Sequence, residues 1–147
     1  MIFDLSGEIR EKTHFFEVRV YYEDTDAGGV GYHANYLKYA EISRTEMFRK
    51  YKIEQEVLKN NYSIRFIVKD LFIEYYKAAI LDDYLTIKSL IIKISSAKIK
   101  MEQEIYRKNT LLAKINITLG SINLEGKPSR LPKFVLNILS AGQIIKE

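Results

Sequence analysis

The sequence predicts an α+β domain in which a curved antiparallel sheet packs around one long helix. Three observations carry this. Residues 15–23 alternate apolar and polar side chains, the period-2 pattern of a half-buried strand. Residues 34–52 place apolar groups at three- and four-residue offsets, as an amphipathic helix does. From residue 64 onward the chain is mostly β-branched and aromatic runs joined by short turns, and short connections make neighbouring strands antiparallel. A helix set against one such sheet is an α+β arrangement. The length of 147 residues suits a single domain, 1–147.

The elements follow in order. In the first strand Phe16, Val18, Val20 and Tyr22 share one face, and Glu17, Arg19, Tyr21 and Glu23 the other. His14 precedes it in a polar stretch and reads as surface. Residues 24–31 hold two Asp and three Gly, a turn-rich composition. In the helix Leu37, Ala40, Met47 and Tyr51 mark the apolar stripe, broken by a gap that Ser43 and Arg44 occupy. The small Ala40 and Ser43 would let it lie close to a sheet. Asn35 suits an N-cap, and Glu46 and Lys50 an i,i+4 ion pair on the wet face. Residues 64–76 form the next strand, in which the apolar phase slips from Ile64, Phe66, Val68 to Leu71, Ile73, Tyr75; a bulge near Lys69 and Asp70 accounts for the slip. Leu81-Asp82-Asp83 turns into strands at 84–94, 98–106 and 110–122. Glu125-Gly126-Lys127-Pro128 turns again, and residues 132–146 read as a terminal helix with Pro132 near its first position. The total is five strands, and an open sheet has two edges that invite pairing with a second copy.

Composition excludes several classes of function. Cysteine is absent, which removes disulfides, cysteine nucleophiles and thiolate metal sites. The net charge of +4 favours an anionic ligand such as a nucleotide phosphate. The lysines are scattered without a run of like charge, which argues against nucleic acid as the partner. No run is apolar enough for a membrane span, and the first residues lack a signal-peptide pattern, so the expected location is the cytoplasm.

Reactive chemistry concentrates in Tyr21-Tyr22-Glu23-Asp24-Thr25-Asp26-Ala27-Gly28-Gly29-Val30-Gly31-Tyr32-His33-Ala34-Asn35-Tyr36, where strand gives way to helix. Asp24 and Asp26 lie two apart, and only one of them is expected to point inward with the apolar face if the strand runs that far. An Asp carboxylate is ionised at neutral pH and serves as nucleophile or base. Gly28, Gly29 and Gly31 clear bulk before the helix and let a ligand approach the main chain. The helix start offers unpaired N–H groups and the positive end of a dipole, suited to a developing oxyanion. The same loop without a ligand would simply cap a helix. Asp24, Asp26 and His33 match no metal-ligand spacing, and Gly-x-Gly here is no dinucleotide fingerprint.

At these residues the chain resembles the hotdog-fold acyl-CoA thioesterases, of the 4-hydroxybenzoyl-CoA thioesterase type encoded beside the bacterial Tol–Pal envelope system. The matching segments are residues 18–30 and 32–37, then Arg44-Thr45-Glu46, Glu74-Tyr75-Tyr76, residues 81–87 and 127–132. Together they span roughly residues 15–133. The resemblance implies a five-stranded antiparallel sheet wrapped around a long central helix. It also implies dimers, commonly paired into tetramers, with active sites at subunit junctions. By resemblance Asp26 is the catalytic carboxylate, and the His33 backbone N–H polarises the thioester carbonyl beside the Gly28-Gly29 loop. Tyr22 and the His33 side chain help position the reacting group. Lys127 and Arg130 are candidates for holding the coenzyme A phosphates, with ordinary surface cations as the competing reading. The substrate implied is acyl-CoA, with no metal and no cofactor; an acyl carrier protein as donor and a link to the envelope system stand beside it. Gly31 departs from the family, which usually carries a bulkier apolar residue there, a change that would either widen the acyl pocket or loosen the loop and so bears on acyl preference. Two rivals come from other classes: a hotdog-type hydratase or dehydratase, and a non-catalytic acyl-binding protein of an envelope complex. The Asp-x-Asp-Ala-Gly-Gly order argues against the first, and an intact Asp26 against the second.

Overall fold

The computed structural model describes residues 4–26 and 34–144. Within them lie β1 (Glu8–Arg10), β2 (Thr13–Arg19), α1 (Ala34–Lys50), α2 (Gln55–Tyr62), β3 (Arg65–Tyr75), β4 (Tyr84–Ile94), β5 (Lys98–Arg107), β6 (Thr110–Ile122) and α3 (Lys133–Ala141). The strands form one sheet in the order β1-β2-β4-β5-β6-β3, and every neighbouring pair is antiparallel.

The sheet has six strands, not the five expected. The extra one, β1, is three residues long, too short for alternation to register. It is tied to β2 by a hairpin in which Glu11 and Lys12 take left-handed φ of 49° and 68°. Gly7, just before β1, also has a positive φ of 74°, and a Cβ there would sit 2.2 Å from the Phe15 carbonyl oxygen. Only glycine fits that approach. The N-terminal segment then lies along α1: Ser6 Oγ donates to Glu46 Oε2 at 2.6 Å, and Lys50 Nζ pairs with Asp4 Oδ2 at 2.5 Å. Glu46 and Lys50 therefore serve that segment instead of each other.

β2 ends at Arg19, four residues short of the alternation. Val20 still exchanges backbone bonds with the turn before β4, its N–H donating to Asp83 O and its carbonyl accepting from Asp82 N, both at 2.9 Å. Beyond it the chain curls into a 3₁₀ turn, Tyr22–Asp24. Alternation has no meaning in a turn, and Tyr22, expected on the apolar face, is 82% exposed. His14, expected at the surface, is fully buried. Its Nε2 lies 2.6 Å from the Ser6 carbonyl, a contact between residues eight apart that a local pattern does not show.

β4 and β6 run as the sequence indicates, and β5 runs one residue longer. The β3 bulge falls between Val68 and Asp70, where the apolar phase slips. α2 has no counterpart among the expected elements, since only Leu58 of its eight residues is buried and its periodicity is faint. α3 stops at Ala141, short of residue 146, and Pro132 is its N-cap.

α1 packs on the sheet's inner face. Ala40, Met47 and Phe48 join Ile87, Ile91, Met101, Ile105 and Ile115 in the core, which Val135 and Leu139 of α3 extend. Leu37, expected on that stripe, is 37% exposed. The gap in the stripe holds a buried polar network. Gln103 Nε2 donates to Ala40 O at 2.9 Å and Ser89 Oγ at 3.0 Å, Ser43 Oγ lies 3.2 Å from Ser89 Oγ, and Arg44 Nη1 donates to Gln103 Oε1 at 2.9 Å. Burial pushes the Arg44 pKa down to about 10. Asn35, expected as the N-cap, is the second residue of α1 and is occupied elsewhere.

Candidate active site

The site forms where β2 hands over to the 3₁₀ turn and where α1 begins. Two residues apart, Asp24 and Asp26 meet opposite environments. Asp24 is buried, and Asp26 is exposed. The 3₁₀ turn causes this, because Asp24 N–H bonds back to Tyr21 O at 2.9 Å and swings the Asp24 side chain inward.

Asp24 is held from three sides. Its Oδ2 accepts the Tyr21 N–H at 3.0 Å, and its Oδ1 accepts Lys38 Nζ at 2.8 Å. Its main-chain carbonyl accepts Asn35 Nδ2 at 2.7 Å. Burial alone would raise the carboxyl pKa; the Lys38 ammonium and the Tyr21 N–H outweigh it, and the pKa lies below the ordinary Asp value. The Tyr39 hydroxyl responds in the opposite sense: burial first, then the Asp24 charge, push its pKa up.

The other flank of the first helical turns is also fixed. Tyr36 Oη accepts the Ala79 N–H at 2.6 Å, and its ring lies 5.5 Å from that of Tyr75. Burial raises the Tyr36 pKa. Arg107 Nη1 secures the same stretch, donating to Ala78 O at 3.1 Å and pairing with Asp83 Oδ2 at 2.7 Å. The opening of α1 is thus braced against both the 3₁₀ turn and the β3–β4 connection.

These contacts locate Asp26. Two peptide units separate it from Asp24, so its Cα lies within about 7 Å of the Asp24 Cα. The Asp24 carbonyl is itself bonded to the first turn of α1. Asp26 therefore stands beside the N-terminal end of the helix, exposed, two residues past the 3₁₀ turn whose first residue, Tyr22, is exposed as well. Gly28, Gly29, Gly31 and His33 lie outside the described residues. Among the described residues no three His, Asp or Glu side chains cluster as a metal site requires.

Lys127 and Arg130 do not join this group within one protomer. The Asp26 end of the sheet is defined by Arg19 opposite Tyr84, Leu85 opposite Arg107 and Tyr75 opposite Ala113. Lys127 and Arg130 are exposed and follow the far end of β6, where Ile122 lies opposite Arg65 and bridges to Pro128. β4 runs 11 residues between those ends, about 35 Å at ~3.4 Å per residue.

Reasoning on the sequence missed Asp24, Asn35 and Lys38 as a unit. A partial signal existed: Asn35 and Lys38 are three apart on a helix and so share a face; strand spacing would have put Asp24 and Asp26 on the same face, and only the 3₁₀ turn separates them. What joins them is a tertiary contact.

Comparison with known proteins follows this geometry. A family model described as the Thioesterase-like superfamily matches residues 20–139. The chain is 42% identical over 121 residues to the acyl-CoA thioesterase YbgC of Haemophilus influenzae, which covers 82% of this chain and 89% of that protein. It is 36% identical over 133 residues to the acyl-CoA thioesterase YbgC of Helicobacter pylori, covering 84% and 97%. The crystal structure of a probable thioesterase from Bartonella henselae superposes with a TM-score of 0.79 at 36% identity, covering 82% of this chain and 99% of that one. A 1,4-dihydroxy-2-naphthoyl-CoA thioesterase from Synechocystis, 21% identical with a TM-score of 0.80, covers 87% and 96% and shares the fold. On a match of that extent, the chain belongs to the thioesterase-like superfamily and is an enzyme of the thioester-hydrolase class.

Proposed function

We propose that this enzyme hydrolyses acyl-coenzyme A to the free acid and coenzyme A, with the Asp26 carboxylate as nucleophile or general base and the opening turn of α1 as the oxyanion site. The observation that carries this is the bond from Asn35 Nδ2 to Asp24 O, which holds the turn bearing Asp26 against the start of the helix. The acyl-CoA thioesterases of Haemophilus influenzae and Helicobacter pylori lend the substrate class.

In the nucleophilic route an Asp26 oxygen attacks the thioester carbonyl carbon, the C–S bond breaks and the thiolate leaves, and water then opens the mixed anhydride. In the general-base route Asp26 takes a proton from water as that water attacks the same carbon. Both routes place negative charge on the carbonyl oxygen. The His33 N–H and the Gly28-Gly29 loop are assigned to that oxygen, and Tyr22 and the His33 side chain to positioning. Neither route requires a metal or a redox cofactor, because water and a carboxylate balance the reaction.

The coenzyme A phosphates are assigned to Lys127 and Arg130 of a second copy. β3 is an edge strand 11 residues long, with Ile67, Val68, Phe72 and Tyr75 exposed by 41–61%. Antiparallel pairing of two such edges about a two-fold axis sets the start of one β3 beside the end of the other. Lys127 and Arg130 follow from the end of the sheet where β3 starts, and Asp26 belongs to the end where β3 finishes. Each site then draws its carboxylate from one copy and its basic rim from the other, in a dimer or a pair of dimers.

The test is a panel of acyl-CoAs and acyl carrier protein thioesters, with release of free thiol followed over time. Asp26→Asn should lower turnover by on the order of 10³-fold. Thiol release undiminished by Asp26→Asn removes the assignment. Loss of an enoyl chromophore without thiol would instead indicate a hydratase, and binding without turnover an acyl-binding protein.

A further inference from the structure

We infer that Asp24 and Lys38 form a positioning strut that fixes Asp26 relative to the first turn of α1, so that Asp24 governs turnover without touching substrate. The inference rests on the proposed role of Asp26.

The chain must carry one short carboxylate and one helix end to opposite sides of the same carbonyl carbon. Eleven positions separate Asp24 from Asn35, and the segment between them begins and ends at this strut. A direct bond between the turn and α1 therefore sets their relative position. Three bonds build the strut: Lys38 Nζ to Asp24 Oδ1 at 2.8 Å, Asn35 Nδ2 to Asp24 O at 2.7 Å, and Tyr21 N to Asp24 Oδ2 at 3.0 Å. The first two join the turn to α1, and the third fixes the carboxylate within the turn.

The energetics favour a rigid joint. The Asp24 side chain is 3% exposed, so its charge has lost most of its water and needs its partner. Lys38 keeps 45% of its side chain exposed and is partly solvated whether or not the pair forms. The pair thus constrains the Asp24 side far more than the Lys38 side. Asp24 is also unsuited to attack substrate itself: both carboxylate oxygens are already engaged, and its side chain is enclosed. The exposed carboxylate two residues on is the one a substrate meets.

The test uses the full chain and the fastest acyl-CoA of the thiol-release panel. Asp24→Asn keeps the shape and removes the charge; Lys38→Met keeps the stem and removes the ammonium. Each should lower kcat by on the order of 10- to 100-fold, the loss that a misplacement near 1 Å causes, with KM changed less than about 2-fold. The double variant should be no slower than the worse single, because both remove the same joint. Lys38→Arg should restore most of the rate. Thermal melts run alongside, and if Asp24→Asn does not fold, Lys38→Met and Lys38→Arg decide the matter. Wild-type kcat in Lys38→Met overturns the strut, as does a double variant showing the product of two independent losses. Complete loss in Asp24→Asn with full activity in Lys38→Met would make Asp24 the reacting base and also overturn it. If Asp26→Asn stays active, the role of Asp26 falls and the strut falls with it; if Asp26→Asn is inactive while both strut variants are normal, only the strut falls.

Discussion

His14 shows what burial does to a single titratable ring. Nε2 faces the Ser6 carbonyl and so donates to it, which leaves Nδ1 as the bare acceptor nitrogen. Nδ1 is buried and has no hydrogen-bond partner among the described residues. Protonation would bury a charge and an unpaired N–H, and burial accordingly lowers the pKa; the bond to Ser6 opposes this without reversing it. The unfolded chain therefore takes up the proton first. Stability is full above about pH 6.5 and is lost as the pH falls through the lower, folded value. Melting temperatures measured from pH 7.5 to 5.5 should decline in the wild type, at up to about 1.4 kcal/mol per pH unit. In His14→Gln, which keeps a donor for Ser6 and does not titrate, the slope should flatten. An unchanged slope would assign the effect to other groups. Asp24 and Asp26 make the complementary point. Strand spacing would set both side chains on one face; their divergence, Asp24 inward and Asp26 outward, comes from a 3₁₀ turn that alternation extended as strand.

Element by element, the longer and more periodic segments were legible. β4 and β6 match their expected bounds, and the phase slip in β3 located its bulge, because alternation over ten or more residues leaves one register that buries the apolar face. α1 was legible as a helix, and the gap in its stripe has a physical cause in Gln103. That side chain fills the break by bonding Ala40 O, Ser89 Oγ and the Arg44 guanidinium at once. Gln103→Leu should destabilise the fold by about 3 kcal/mol, since it strands a buried cation and a buried hydroxyl while keeping the volume. Calorimetry should show a fall in melting temperature of about 10 °C. A fall below about 2 °C would mean that water or relaxation replaces the network. β1 and α2 were not legible: three residues, and one buried side chain in eight, give periodicity too little to act on.

For the whole molecule, the strand order places the proposed pairing of two copies at β3. Among the described residues β3 is paired by β6 alone and carries exposed apolar side chains along its outer edge, the feature that invites a second copy. If two copies pair at β3 as proposed, Phe72→Lys should give a monomer, which light scattering after gel filtration reads directly. Phe72 is 61% exposed, so the monomer fold should persist. Thiol release should fall by more than about 10-fold, since Lys127 and Arg130 would part from the opposing Asp26. A smaller oligomer that retains full activity would place the whole site in one chain. The sequence by itself determined the α+β class, the long helix and most of the strands, because those follow from local period and composition. The tertiary structure alone decided the sixth strand, the burial of His14, the outward turn of Tyr22, the strut on Asp24 and the distance of Lys127 from Asp26. Each of those rests on contacts between residues far apart in the chain, and side-chain period carries no information about them.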